Sequence, residues 1–249
     1  MRFSQVEGEP PPVPDQKRRL TPCQNCATLT KLTQCQEQNG KLMVMLMVKS
    51  TPDFIAERRD EIMSVCERLY RTMSFKEVTL KEIGNETPFS RPTIYNYFES
   101  KEEIFLALFE REYALWSDEL ESLHESVTAE NLAENISASL EKRELMLKLL
   151  AVNLYDMEEN SRKERLVEFK KAYGRSKEAF AGLLKKAFPE KSEEERGDML
   201  IVAFEFLHGI YPYAHATVKQ KEAMDEAGVQ YEEKTIYEHA LNGLKRILV

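Results

Sequence analysis

Glycine and proline are scarce in this chain, at 9 and 10 of 249 residues, and no stretch of any length alternates apolar and polar residues. Turn-dense sheet architectures are therefore disfavoured, and abundant Leu, Glu, Lys and Ala point to an all-α fold. Positive charge is also short: 35 Lys and Arg against 43 Asp and Glu leave a net charge of −8. The molecule as a whole is no generic polyanion binder, so any nucleic-acid contact must come from a local patch set in an acidic background. The longest apolar run, Leu42 to Val48, is too short to span a membrane and has no cleavage-site pattern of a signal peptide, which makes the cytoplasm the expected compartment. Three of the four cysteines, Cys23, Cys26 and Cys35, crowd one N-terminal stretch, and the fourth is Cys66. They form no disulfide framework, and with no histidine before His124 they make only half a zinc site. No glycine-rich phosphate loop occurs, and no nucleophile has a convincing base and orienting acid, so the chain does not read as an enzyme and calls for no cofactor and no metal.

What is present falls into three parts. Residues 1–50 are Pro- and Gln-rich with little helical period, and are expected to be a disordered extension; Met43, Met45 and Met47 are alternative initiators. From Pro52 the helical period takes over, with Ile55, Ile62, Val65, Cys66, Leu69 and Tyr70 on one face of a first helix ending near Met73. Thr79, with Glu82 three residues on, caps a short second helix to about Glu86. Ser90 caps a third, with Pro92 in its first turn, ending near Phe98. Ser100 caps a long fourth, Lys101 to about Ser122, with Ile104, Phe105, Leu108, Leu115 and Leu120 facing inward. Further helices are expected near 129–142, 144–157, 162–188, 193–221 and 231–248, with Pro212 kinking or interrupting the fourth of these.

Two short helices across a tight turn, supported by a longer helix in front, make a helix-turn-helix, whose second short helix enters the DNA major groove tip first. Ser90 and Arg91 stand at that tip, and an arginine there can pair bidentately with a guanine edge. The hydroxyls of Thr93, Tyr95 and Tyr97 and the ammonium of Lys101 suit phosphates. Residues 87–98 hold one basic side chain and no acidic one, so the patch is cleared of repulsion.

The stretch "FKEVTLKEIGNETPFSRPTIYNYFESKEEIFLALF" resembles the DNA-binding domain of the tetracycline-repressor (TetR/AcrR) family of bacterial transcriptional regulators. The resemblance covers about residues 55–110 and rests on Thr79, Ile83, Ser90, Thr93, Ile94, Tyr95, Tyr97, Phe98, Lys101 and Ile104 at fixed spacing. It implies base-edge contacts from Arg91, Pro92, Asn96 and Lys81, and phosphate contacts from Thr93, Tyr95, Tyr97 and Lys101; Thr79 and Ser90 complete the DNA-facing set. Two departures stand out. Thr87-Pro88 replaces the usual small Ala-Gly before the turn, and Gly84 replaces the usual Ala. Proline cannot supply a left-handed turn residue, so this turn must close differently.

The resemblance further implies a repressor that pairs as a homodimer through its last two long helices, binds a pseudo-palindromic double-stranded operator, and is released by a small-molecule effector. The apolar "DMLIVAFEFLHGIYPYAHA" and the stripe Ile236, Ala240, Leu244, Ile247 suit the dimer surface. Trp116, Met146, Leu150, Tyr155, Phe169, Tyr173, Phe204, His208 and Tyr211 are the expected effector-pocket residues. Residues 51–100 would then be the DNA-reading domain and 101–249 the ligand and dimer domain. An alternative comes from two Glu-x-x-His pairs, Glu121/His124 and Glu205/His208, which are the motif of helical di-iron carboxylate bundles; His208 with His215 could also hold a single regulatory metal.

Overall fold

A computed structural model describes residues 51–152 and 154–248; the cysteine cluster and the alternative initiators lie outside them. Among the described residues every regular element is a helix. α1 spans Pro52–Thr72, α2 Leu80–Asn85, α3 Arg91–Ile94 and α4 Lys101–Leu123. α5 is Leu132–Glu141, α6 Glu144–Leu150, α7 Leu154–Glu159 and α8 Lys163–Ala187. α9 runs Glu193–Ala214, α10 Val218–Glu226 and α11 Ile236–Ile247.

α4 is the shaft of this unit. Its buried residues include Ile104, Phe105, Leu108, Phe109, Tyr113, Trp116 and Leu120, which take up most of its circumference. α8 lies along it, α1, α5, α6 and α7 touch it, and α11 packs on α5 and α9. Two residues expected to face inward do not. Leu115 is 40% exposed because it shares the remaining outward strip of α4 with Asp118 and Ser122, and Ile55 is 41% exposed in the first turn of α1.

The helix starts follow local hydrogen-bond chemistry. The hydroxyls of Thr79, Ser100, Ser192, Thr217 and Thr235 each accept from the amide three residues on, and the last three form complete capping boxes. The box at Thr235 and Glu238 starts the final helix at Ile236, later than the apolar pattern suggested. Pro212 sits inside α9 without breaking it. Proline loses its own N–H bond and crowds the carbonyl four residues back, but only two helical residues follow it, to Ala214; the break comes at His215–Thr217, where the Thr217 box starts a new helix. The stripe expected to face a second subunit is covered by its own chain: Ile236, Ala240 and Leu244 are buried against α5 and α9. The large apolar residues that face outward on α9 are Ile201, Val202 and Tyr213. Gly243 of α11 lies under the Phe206 ring of α9, so closely that a Cβ there would fall 2.2 Å from Phe206 Cζ.

Candidate nucleic-acid interface

α2 and α3 meet at Gly84, where an added Cβ would stand 3.6 Å from Ile94 Cδ1 and 3.8 Å from the Arg91 Cα. The turn between them closes without any left-handed residue: among the described residues only Gly228 has positive φ. Thr87 takes over that work, its hydroxyl lying 3.3 Å from both the Gly84 and the Phe89 carbonyl oxygens. Phe89 is then held from α1, with the Arg58 guanidinium 5.2 Å above its ring and 4.9 Å from that of Phe54. The Thr87-Pro88 departure thus resolves as a side-chain-bonded turn in place of a glycine turn.

Below the turn, Ile94 and Phe98 are fully buried and anchor the segment to the core. Ser90, Arg91, Pro92, Tyr95 and Asn96 are exposed, and Thr93 and Tyr97 half-buried. α3 itself ends at Ile94, four residues before the expected end; tight turns carry the chain on, with Asn96 N–H bonded to Thr93 O and Phe98 N–H to Ile94 O. The Ser90 hydroxyl does not cap the helix as expected. It lies 3.0 Å from Thr93 Oγ1 instead, since Pro92 within the first turn leaves fewer amides to satisfy. Arg91 donates to the Tyr95 hydroxyl at 3.1 Å with its guanidinium 5.8 Å from that ring, which stacks the cation on an aromatic plane at the tip.

A shallow depression of about 500 Å³ is lined by Thr79, Leu80, Lys81, Arg91, Ser100, Lys101 and Glu102, three cations to one carboxylate. Four of these were expected to face DNA from sequence alone. Lys101 donates to the Phe75 carbonyl at 2.7 Å, with its ammonium 4.3 Å from the Phe75 ring. An ammonium has three donors, so this anchor leaves two for an anion.

The residues expected to line an effector pocket are placed differently from one another. Trp116, Met146, Leu150, Phe169 and Phe204 are buried, and Tyr173 and Tyr211 half-buried. The rings close on each other: Trp116 and Tyr173 each lie 5.7 Å from Phe204, and Phe180 lies 5.8 Å from it. The Trp116 N–H donates to Ser139 Oγ at 3.0 Å. Phe109, Tyr113 and Phe180 belong to the same cluster and were missed, although Phe109, Tyr113 and Trp116 stand at helical spacing. Tyr155 is a correction. It is 86% exposed, because α7 buries only Met157, which lies two positions away on the opposite face.

The Glu-x-x-His pairs are committed elsewhere. Glu121 accepts two bonds from Arg175, at 3.0 and 2.8 Å, and exposed His124 has its ring 3.7 Å from Glu125 while its carbonyl accepts from Lys186. Glu205 is exposed, and so is His208, which is a second correction to the expected pocket; its Nδ1 lies 3.2 Å from the Leu150 carbonyl. His215 stacks on Tyr211 at 4.3 Å and faces Glu144 at 3.6 Å. No group of three or more His, Cys, Asp or Glu among the described residues is arranged to hold a metal ion. The metal-bundle alternative therefore finds no support, because the two pairs are spent on an arginine and a backbone carbonyl.

A polar cavity of about 480 Å³ opens between α1, α4 and the α5–α6 junction, lined in part by Glu67, Arg71, Glu112, Arg143 and Lys148. Burial pushes the Glu112 carboxyl above the usual carboxylate range, against the pull of Arg143 and Arg111. Elsewhere the opposite balance holds. Burial also pushes Glu103 upward, but the Arg162 guanidinium and the Glu99 and Arg162 amides outweigh it and hold Glu103 below that range. No helix among the described residues is long and apolar enough to cross a membrane.

Similarity to known proteins agrees with this geometry. A family model for bacterial regulatory proteins of the tetR family matches residues 62–108, and one for the tetracyclin repressor-like C-terminal domain matches residues 110–237. The HTH-type transcriptional regulator EthR of Mycolicibacterium smegmatis is 35% identical over 54 residues, covering 22% of this chain and 25% of that protein. Among solved structures, a TetR-family transcriptional regulator from Mesorhizobium loti superposes with a TM-score of 0.50 at 16% identity, covering 80% of this chain and 98% of that one. FadR of Thermus thermophilus, a TetR-family repressor solved with lauroyl-CoA, gives 0.50 at 19% identity over 76% of this chain and 93% of its own. At such identities these structures speak for the fold alone. With both halves of the chain matched, and the second match alone spanning more than half its length, this protein belongs to the TetR family of transcriptional regulators.

Proposed function

We propose that the chain is a homodimeric repressor that reads a pseudo-palindromic operator with α3 and is released by a small-molecule effector. Residues 51–100 are the DNA-reading domain and residues 101–249 the effector and dimer domain, with α4 opening the second and packing on α1 of the first. One observation carries the reading: the depression beside α3 that gathers Thr79, Lys81, Arg91 and Lys101, next to exposed Pro92, Tyr95 and Asn96. In this assignment Arg91, Pro92, Asn96 and Lys81 meet base edges, and Thr93, Tyr95, Tyr97 and Lys101 meet phosphates.

The dimer surface is assigned to the outward Ile201, Val202 and Tyr213 of α9. Two copies paired there present two recognition segments, hence two half-sites about one helical turn apart. The effector acts through the aromatic cluster between α4, α8 and α9. Its rings are in contact, so a ligand must part them, and parting α8 from α4 changes the spacing of the recognition segments. DNA and effector then weaken each other by the same factor.

The test is selection of bound duplexes from a random pool. The expected product is a pseudo-palindrome with half-sites about 10 base pairs apart. Arg91→Ala relaxes preference at one position by about 1–3 kcal/mol, whereas Lys101→Ala weakens all sequences alike and lowers the salt slope by about 1. Absence of any enriched palindrome refutes the reading.

A further inference from the structure

Glu103, in the first turn of α4, has no accessible surface. Its carboxylate accepts four hydrogen bonds: from the Arg162 Nε at 2.6 Å, Arg162 Nη2 at 2.7 Å, Arg162 N–H at 3.1 Å and Glu99 N–H at 2.8 Å. Arg162 is the residue immediately before α8, and Glu99 immediately follows buried Phe98 at the end of the recognition segment. Beside this clasp the Ser100 hydroxyl donates to the Asn160 carbonyl at 2.9 Å. The segment that leads into α8 is therefore bonded to the two residues that lead out of the recognition segment.

Joining α4 to α8 does not require this arrangement, because the two helices already pack along their length. A buried carboxylate is also an expensive way to add stability, since its desolvation offsets most of the attraction it gains. What such a pair does well is fix one geometry: a bidentate arginine and two backbone amides leave the carboxylate no alternative orientation. A second tie lies elsewhere on the same unit. Lys148 Nζ of α6 donates to the Tyr70 carbonyl at 2.5 Å, and the Tyr70 hydroxyl donates to the Lys148 carbonyl at 3.3 Å. The first three helices are thus held to the rest of the chain from both α6 and α8.

We infer that Glu103 is a positioning residue for DNA recognition: clamped by Arg162, it sets where the recognition segment stands relative to α8, and so sets the half-site spacing the dimer accepts. The inference rests on the proposed DNA-binding function and adds a second link between the two parts of the molecule. In this scheme a shift of the first turn of α8 reaches Glu103 and the Glu99 amide through Arg162, and so displaces the first turn of α4 together with the end of the recognition segment. Glu103 and Arg162 touch no DNA in this scheme.

The experiment uses the full chain and the operator found by selection, resynthesised with its spacer shortened or lengthened by one and two base pairs. Wild type, Glu103→Gln, the double variant Glu103→Gln/Arg162→Gln and the control Lys170→Ala are compared for affinity at each spacing. The double variant removes the buried charge together with its partner, so that no uncompensated charge destabilises the fold. Lys170 forms a separate pair with Glu158 on the α8 surface. Wild type and control are expected to discriminate among spacings by about tenfold or more, within the usual range of coupling between sites, while both Glu103 variants fall to about threefold or less. If the single variant fails to fold, the double variant decides. Folded variants that keep the wild-type spacing profile overturn the inference, however far their melting temperature has dropped. Wild type that selects no operator at all overturns the DNA-binding reading itself, and this inference with it.

Discussion

Replacing Gly243 and Gly84 by alanine should move stability in opposite directions, although the chemical change is the same. Both glycines are inside helices, so each replacement gains about 0.8–1.0 kcal/mol of helix propensity. At Gly84 the new methyl makes ordinary van der Waals contact, its nearest neighbour being Ile94 Cδ1 at 3.6 Å. At Gly243 it collides with Phe206, whose Cζ, Cε1 and Cε2 would stand 2.2, 2.6 and 2.7 Å away. The ring must leave α11 and give up its packing there, and overpacking of this kind costs about 1–3 kcal/mol. The net expectation is a gain of about 0.5–1 kcal/mol for Gly84→Ala and a loss of about 1 kcal/mol for Gly243→Ala. In a unit of this size each kcal/mol moves the melting temperature by about 2–4 °C, which calorimetry or a circular-dichroism melt resolves. Phe206→Leu should relieve the clash, so that Gly243→Ala costs less in that background than in wild type. A Gly243→Ala protein that melts at or above wild type would refute the reasoning, because the α9–α11 approach would then have no need of a bare backbone.

Ser139→Ala leaves the buried Trp116 N–H without its acceptor and should cost about 1–3 kcal/mol; Trp116 is the sole tryptophan, so its fluorescence reports the melt, and an unchanged midpoint would contradict the bond. Glu112→Gln should stabilise at neutral pH. The native state raises the Glu112 pKa, so folding there opposes ionisation, and the advantage should vanish as pH falls below the ordinary glutamate value of about 4.3. An advantage that stays constant down to pH 3 would count against burial as its cause. Val202→Glu should convert the dimer to a monomer by light scattering, and a dimer that persists would move the pairing surface away from the outward face of α9.

The DNA-reading part was the most legible in sequence, because its determinants are local. Thr79 and Ser100 accept from the amide three residues ahead, as caps do, and Ile94 and Phe98 mark the buried side of a segment whose exposed residues are polar or aromatic. The early end of α3 was not legible, since tight i→i+3 turns and a helix suit the same residues. The second half depends on which element covers which. Ile236, Ala240 and Leu244 make an apolar stripe in either case, and only the fold shows that α5 and α9 of the same chain cover it. Glu103 was hidden for the same reason. Its partner Arg162 is 59 residues away, and a glutamate in the first turn of a helix ordinarily signals nothing beyond the helix dipole.

If an effector acts as proposed, the filled aromatic cluster also governs its kinetics. A molecule that acts by entering between α4 and α8 finds no vacant space at Phe204, where the rings of Trp116, Tyr173 and Phe180 already meet. It must wait for those rings to part, so its apparent affinity is its intrinsic affinity reduced by the fraction of time the cluster stands open. At high concentration its rate of action then stops rising and settles at the rate of opening. Substitutions that loosen the cluster, such as Phe180→Leu, would raise sensitivity to the effector while lowering the melting temperature, tying the threshold of response to the packing of a core.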